Sequence, residues 1–139
     1  MATGVNIHPL DLQEDVAIGI LLPITGPNGE VFVSSYTTIE QTKSNVMNLL
    51  FTNEGERIMQ PLFGCNLKKL VFEPITTVLV QRMYDIIRDK MQYWLPYVQI
   101  QQLLIEPEPD LNQVNFHMEF YLKGNEFDRA SITFQLDTI

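Results

Sequence analysis

The chain is poor in the residues that carry most protein chemistry. Of its 139 residues one is cysteine, two are histidine and one is tryptophan, and nine lysines and arginines face seventeen acids. Cys65, having no second thiol, can form no internal disulfide, which suits assembly in a reducing cytoplasm; its expected role is that of a small buried hydrophobe. His8 and His117 with one cysteine fall short of any zinc set, so no metal is expected. Gly26-Pro27-Asn28-Gly29 lacks the Gly-Lys-Ser/Thr ending of a phosphate loop, and no cofactor is expected either. With a net charge of −8 and Lys68-Lys69 as the only adjacent basic pair, nucleic acid is excluded as a partner. No apolar run approaches the ~18–20 residues of a membrane span, and Met1 to Leu10 lacks the basic-then-apolar order of a secretory signal. Membrane is therefore not an expected partner.

What is present is a 45 % hydrophobic sequence, enough for one packed domain over residues 1–139. Residues 1–37 read as an extended or hairpin region: two β-prone runs, from Asp15 and from Val31, flank the turn residues Gly26 to Gly29. Residues 38–96 read as a helical pair joined by a loop. Thr38-Ile39-Glu40-Gln41 fits a capping box, Ile39, Val46, Met47 and Leu50 share one helical face, and Asn53 and Gly55 suit a left-handed end just before Glu56. Pro74 suits the first turn of the second helix, in which Val80, Met83, Tyr84, Ile87, Met91 and Trp94 recur every three or four residues until Pro96.

From residue 97 to 139 the period changes to two. Val114, Phe116, Met118, Phe120 and Leu122 alternate with polar residues, as do Ala130, Ile132, Phe134 and Leu136, with Lys123 to Glu126 as the turn between them. Val98 to Ile105 forms a further strand in which Gln101-Gln102 breaks the alternation and marks a bulge. Glu106-Pro107-Glu108-Pro109-Asp110 reads as a stiff acidic connector. The expected fold class is α+β, two helices packed on a three-stranded antiparallel β-meander.

Chemistry is weakly encoded. Glu54, Glu56 and Glu73 are the carboxylates available for a glycosidase pair, but their spacing sets no such geometry, and an ion pair of Glu56 or Glu73 with Arg57 is the simpler expectation. Cys65 lacks a nearby base, since His8 is remote in sequence and His117 lies on the polar face of a strand. The open meander must expose an edge, which is either covered by the chain's own N-terminal region or available to a strand from another protein.

Several motifs belong together. Asn48-Leu49-Leu50, Thr52-Asn53-Glu54-Gly55-Glu56-Arg57, Pro61, Phe63-Gly64, Leu67 and Phe72-Glu73-Pro74 closely resemble the signature of the short baseplate wedge proteins of contractile phage tails. That family has relatives in type VI secretion baseplates and carries an old "lysozyme-like" label. Ala17-Ile18-Gly19, Leu22-Pro23, Tyr36-Thr37-Thr38 and Glu40-Gln41 resemble its phage branch. The resemblance implies a virion structural part with a domain like the sheath handshake domain, assembled in the host cytoplasm. It would link the wedge core to the first sheath ring and initiate sheath assembly by strand pairing, here through Ile132, Phe134 and Leu136. Implied partners are the tail sheath protein, other wedge proteins including the helical core bundle, and tail tube or hub proteins. Where many members carry Glu-Pro-Arg after the second helix, this chain has Leu95-Pro96-Tyr97; with Trp94 these are the expected apolar anchors on the core bundle. The label implies the alternative, a peptidoglycan-cleaving muramidase.

Overall fold

The computed structural model describes residues 12–13, 15–22 and 33–137. Two short strands, β1 (Gly19–Ile20) and β2 (Ser34–Ser35), pair antiparallel, so the two N-terminal runs do come together; the expected Gly26 to Gly29 turn lies outside the described residues. Three helices follow, α1 (Thr38–Phe51), α2 (Leu67–Leu70) and α3 (Thr77–Trp94). The chain then forms β3 (Val98–Glu108), a 3-10 turn (Pro109–Leu111), β4 (Gln113–Leu122) and β5 (Asn125–Asp137), in the antiparallel order β3-β4-β5. The architecture is α+β, as expected, with α2 as an additional turn of helix within the joining loop.

The helix ends differ from the sequence reading by small, physically specific amounts. The N-cap of α1 is Thr37 rather than Thr38: its extended backbone lets Oγ1 accept from Glu40 N–H at 3.4 Å, while the Glu40 carboxylate accepts from Tyr36 N–H at 3.3 Å. The helix stops at Phe51, where Thr52 is extended and its hydroxyl donates to the Asn48 carbonyl at 2.5 Å. Asn53 and Gly55 thus form a separate turn instead of a left-handed helix end. Likewise α3 is capped by Thr76, whose Oγ1 accepts from Leu79 N–H at 3.2 Å, and Pro74 stands outside it.

The core is one layer of helices against one face of the sheet. Val114, Phe116, Met118 and Phe120 of β4 are at most 1 % exposed, since the central strand has neighbours on both edges and helices above. They meet Val46, Leu49 and Leu50 of α1 and Leu79, Met83, Ile87 and Met91 of α3. The rings of Phe116 and Phe134 stack at 4.7 Å, and Phe51 of α1 meets Phe134 edge-on at 4.9 Å. Two buried hydroxyls on α1 are satisfied locally: Thr42 donates to the Thr38 carbonyl at 2.7 Å, and Ser44 Oγ accepts from Leu22 N–H at 3.1 Å.

The register of β3 slips between Ile100 and Gln102, leaving Gln101 as the bulge expected from the broken alternation. The acidic stretch is only partly a connector. Glu106, Pro107 and Glu108 continue β3, paired with Asn115, Val114 and Gln113, and only Pro109 to Leu111 forms the turn. Pro107 is tolerated because β3 is an edge strand.

Cap assignments this specific are testable by chemical denaturation. Thr37→Ala and Thr76→Ala are each expected to cost about 1 kcal/mol of stability, whereas Pro74→Ala is expected to change it by no more than about 0.5 kcal/mol.

Candidate functional site

The joining loop after α1 is built around backbone approach, and the expected ion pair of Arg57 with Glu56 or Glu73 is not part of it. Gly64 adopts φ +123°, and a Cβ there would lie 2.4 Å from the Thr52 carbonyl oxygen. That absence of a side chain lets Cys65 N–H donate to the same carbonyl at 3.1 Å. Gly55, at φ +89° and facing open space, is required by conformation alone; its N–H donates to the Pro61 carbonyl at 2.7 Å.

Glu56, Arg57 and Glu73 take other partners than expected. Glu56 closes its own turn by accepting from Asn53 N–H at 3.1 Å and from Asn53 Nδ2 at 2.8 Å. The backbone hydrogen bond foremost, then the side-chain one, holds the carboxyl below its ordinary value. Arg57 makes no ion pair among the described residues; its guanidinium lies 3.9 Å from the centroid of Phe63. Glu73 pairs with Arg82 at 3.1 Å, largely in solvent. Hydrophobicity leads Phe63, Leu67 and Phe72 all to be expected in the core between the helices; Phe63 and Leu67 are buried there, Phe63 edge-on to Trp94 at 5.2 Å, but Phe72 is 72 % exposed beside Pro74, on a shallow cleft shared with Ile75 and Pro109. The tight turn through Glu73 leaves its side chain no core to enter.

Two residues that no local motif marks hold the loop to the helices. Lys90 of α3 makes a salt bridge with Glu54 and donates to the Leu62 carbonyl at 2.9 Å. Asn66, left-handed at φ 55°, accepts from Glu54 N–H at 2.8 Å through its side chain. Glu54 and Lys90 are 36 positions apart, so no spacing rule pairs them. Asn66 was discernible in principle, as Asn is the non-glycine residue most at ease in that conformation.

This geometry offers little to catalysis. Each candidate carboxylate already holds a partner, and Glu56 is shifted in the direction opposite to that of a general acid. Burial pushes the Cys65 thiol up to about 12, far from a nucleophile. His117 bridges Thr133 Oγ1 at 2.8 Å and Glu119 Oε1 at 3.3 Å on the polar face of the sheet. No cluster of three metal-binding side chains occurs among the described residues.

The sheet has more to offer. Ile105 N–H donates to the Tyr84 hydroxyl at 3.1 Å, so at Ile105 the backbone of β3 points away from β4. In an antiparallel ladder its partner Phe116 must then point toward β5, as do Val114, Met118 and Phe120. Their partners Leu136, Phe134, Ile132 and Ala130 point back toward β4. Ile132 and Leu136 are buried, and Phe134 is stacked on Phe116. The three expected pairing residues thus turn both side chain and amide inward, and the free amides of β5 belong to Arg129, Ser131, Thr133, Gln135 and Asp137.

The expected docking anchors are also redistributed. Leu95 is buried and Trp94 half-buried in the chain's own core, leaving Pro96 and Tyr97 outside. The Tyr97 hydroxyl accepts from Asn45 Nδ2 at 3.3 Å, ending a chain that runs from Ser35 Oγ to Gln41 Oε1 (2.6 Å) and from Gln41 Nε2 to Asn45 Oδ1 (3.0 Å). That relay ties β2 and α1 to the start of the sheet.

The family model described as baseplate wedge protein gp25 matches residues 38–126, from the first residue of α1 into β5. Among solved structures, the chain is similar to a candidate tail lysozyme from Geobacter sulfurreducens, at 19 % identity and a TM-score of 0.64, over 76 % of this chain and 95 % of that one. It is also similar to a chain of the anti-feeding prophage baseplate, at 18 % identity and a TM-score of 0.51, over 82 % and 78 %. At such identities the likeness is one of fold. No curated protein matches the chain.

Gly64→Ala is expected to cost at least about 2 kcal/mol, because a positive φ alone costs a non-glycine residue about 1–3 kcal/mol and the new methyl meets backbone. Arg57→Ala should cost only about 0.5–1 kcal/mol, the scale of an accessible cation–π contact; denaturant titrations of both variants check the order. Since Glu56 sits below its ordinary value of 4.5 in the fold, its contribution is complete above that pH and is lost as pH falls through the lower folded value. Melting temperatures measured between pH 6 and pH 3 should therefore decline less steeply in Glu56→Gln.

Proposed function

The chain belongs to the baseplate wedge protein gp25 family and has a structural role in a baseplate; on that premise we propose that it joins the wedge core to the first ring of tail sheath by accepting a sheath strand along β5. The observation that carries this reading is the contrast between the two edges of the sheet. On β3 the outward N–H of Ile105 is taken by Tyr84, Pro107 has no N–H, and Gln101 bulges. These are the devices by which edge strands are blunted. On β5 the ladder with β4 is regular from Arg129 to Asp137, without proline or bulge, and no described strand pairs with its outer side. A regular open edge gives an incoming strand a full run of backbone partners, while exposed Ser131, Thr133 and Gln135 help set its register.

The whole chain acts in this reading as one virion domain, made in the host cytoplasm. The sheath lies on its β5 side, and the core bundle and other wedge proteins contact the exposed Pro96–Tyr97 corner, with tube or hub proteins as further neighbours. We rank the muramidase alternative below this reading, because Glu54, Glu56 and Glu73, the carboxylates it would use, each hold a partner within the fold.

Proline separates the two sides of β5. Ser131→Pro and Gln135→Pro remove only outward N–H groups, so these variants should remain folded by circular dichroism yet lose co-purification with the sheath protein. Ile132→Pro breaks the internal ladder and should destabilise the domain itself. Sheath binding undiminished in both outward variants would move the contact off β5.

A further inference from the structure

The joining loop carries the two most exposed large hydrophobic side chains among the described residues. Ile58 is 94 % and Met59 92 % exposed, and Leu62 in the same lobe is 67 % exposed. From Ile58 to Leu67 the chain has no charged residue. The lobe is fastened at its neck rather than at its tip: Gly55 N–H donates to the Pro61 carbonyl at 2.7 Å, Phe63 N–H to the Gln60 carbonyl at 3.1 Å, and Lys90 Nζ to the Leu62 carbonyl at 2.9 Å. Its shape is thus set within the fold, and a partner need not meet that ordering cost.

The lobe stands beside the last turn of α3. Lys90 holds it there, and Phe63 meets Trp94 edge-on at 5.2 Å; Trp94 in turn meets Tyr93, 74 % exposed, at 5.0 Å. Pro96 and Tyr97, the corner read above as facing the core bundle, follow directly. With Trp94 and Leu95 used in the chain's own core, that corner has little apolar surface of its own, whereas a stable contact needs buried apolar anchors at its centre. Charge narrows what can cover the tip. A molecule of net charge −8 is repelled by an anionic membrane surface and by a second copy of itself. A convex, uncharged tip instead suits a concave apolar recess of a folded protein, and such recesses are common between packed helices.

We propose that the Ile58–Met59 lobe is the anchor by which the chain docks onto the wedge core, its two side chains set into an apolar recess between helices of the core bundle, with Tyr93, Pro96 and Tyr97 around it. This rests on the reading that the bundle meets the Pro96–Tyr97 corner. Met59, unbranched and polarizable, adapts to the recess, while Ile58 is stiff and fixes the fit.

The test uses the full chain with the purified wedge-core proteins and, separately, the sheath protein of the same particle. I58S/M59S should capture the wedge core at least about tenfold more weakly than the parent, the scale of losing an interface anchor, with unchanged melting temperature and unchanged sheath co-purification. V78S removes a comparably exposed apolar side chain at the other end of α3 and should behave like the parent. A photo-reactive p-benzoylphenylalanine at position 59 should link to a wedge-core protein. Undiminished capture by I58S/M59S, equal loss in V78S, or a link only to sheath, to a second copy or to nothing would overturn the inference and leave the wedge-core reading standing. If the parent itself captures no wedge-core protein, that reading fails, and the inference fails with it.

Discussion

The backbone contact between Gly64 and Thr52 is the point on which the rest of this structure turns. A carbonyl at the end of α1 receives the amide of Cys65 only because residue 64 has no Cβ to stand between them. Once that approach is made, Phe63, Cys65 and Leu67 are delivered into the core on one side, and Leu62 is presented to Lys90 on the other. Lys90 then reaches Glu54, so α3 is fastened to the far end of α1 through a loop that carries no regular structure apart from four residues of helix. Charged residues in this loop decorate and tighten it. They are not its foundation, since Glu56 serves its own turn and Arg57 covers the Phe63 ring.

Fixing α1 against α3 in this way decides what the sheet can do. Both helices lie on one face, so β4 is enclosed and the polar face, with its His117–Thr133 pair, stays in water. The lateral edges are left to be managed strand by strand. One is blunted by Tyr84, a bulge and a proline; the other is left regular. A protein that had to remain alone would gain by protecting both, because an open regular edge invites pairing. The asymmetry fits membership of a family whose members are parts of larger particles.

The elements themselves were largely legible. Alternation from Val114 to Leu122 and from Ala130 to Leu136, helical recurrence from Val80 to Trp94, and even the bulge at Gln101 follow from side-chain period, which is local. The errors were local competitions between near-equal options. Thr37 outbids Thr38 as a cap because Glu40 then stands where it can serve the end of the helix, and Pro74 lies ahead of a threonine that caps better. Phe72 is hydrophobic enough for the core, yet backbone direction at a tight turn leaves it in solvent.

For the functional surface the division is sharper. The sequence by itself determined the α+β composition, the one-sided sheet, the signature motifs from Asn48 to Pro74 and the poverty of catalytic groups, because each depends on residue type and near-neighbour spacing. Only the tertiary structure decided which amides of β5 face outward and that Trp94 and Leu95 are spent inside the core. Those facts depend on register and on helix placement, both set by contacts between residues far apart in the chain. A one-residue change in register would reverse them without altering a single local pattern.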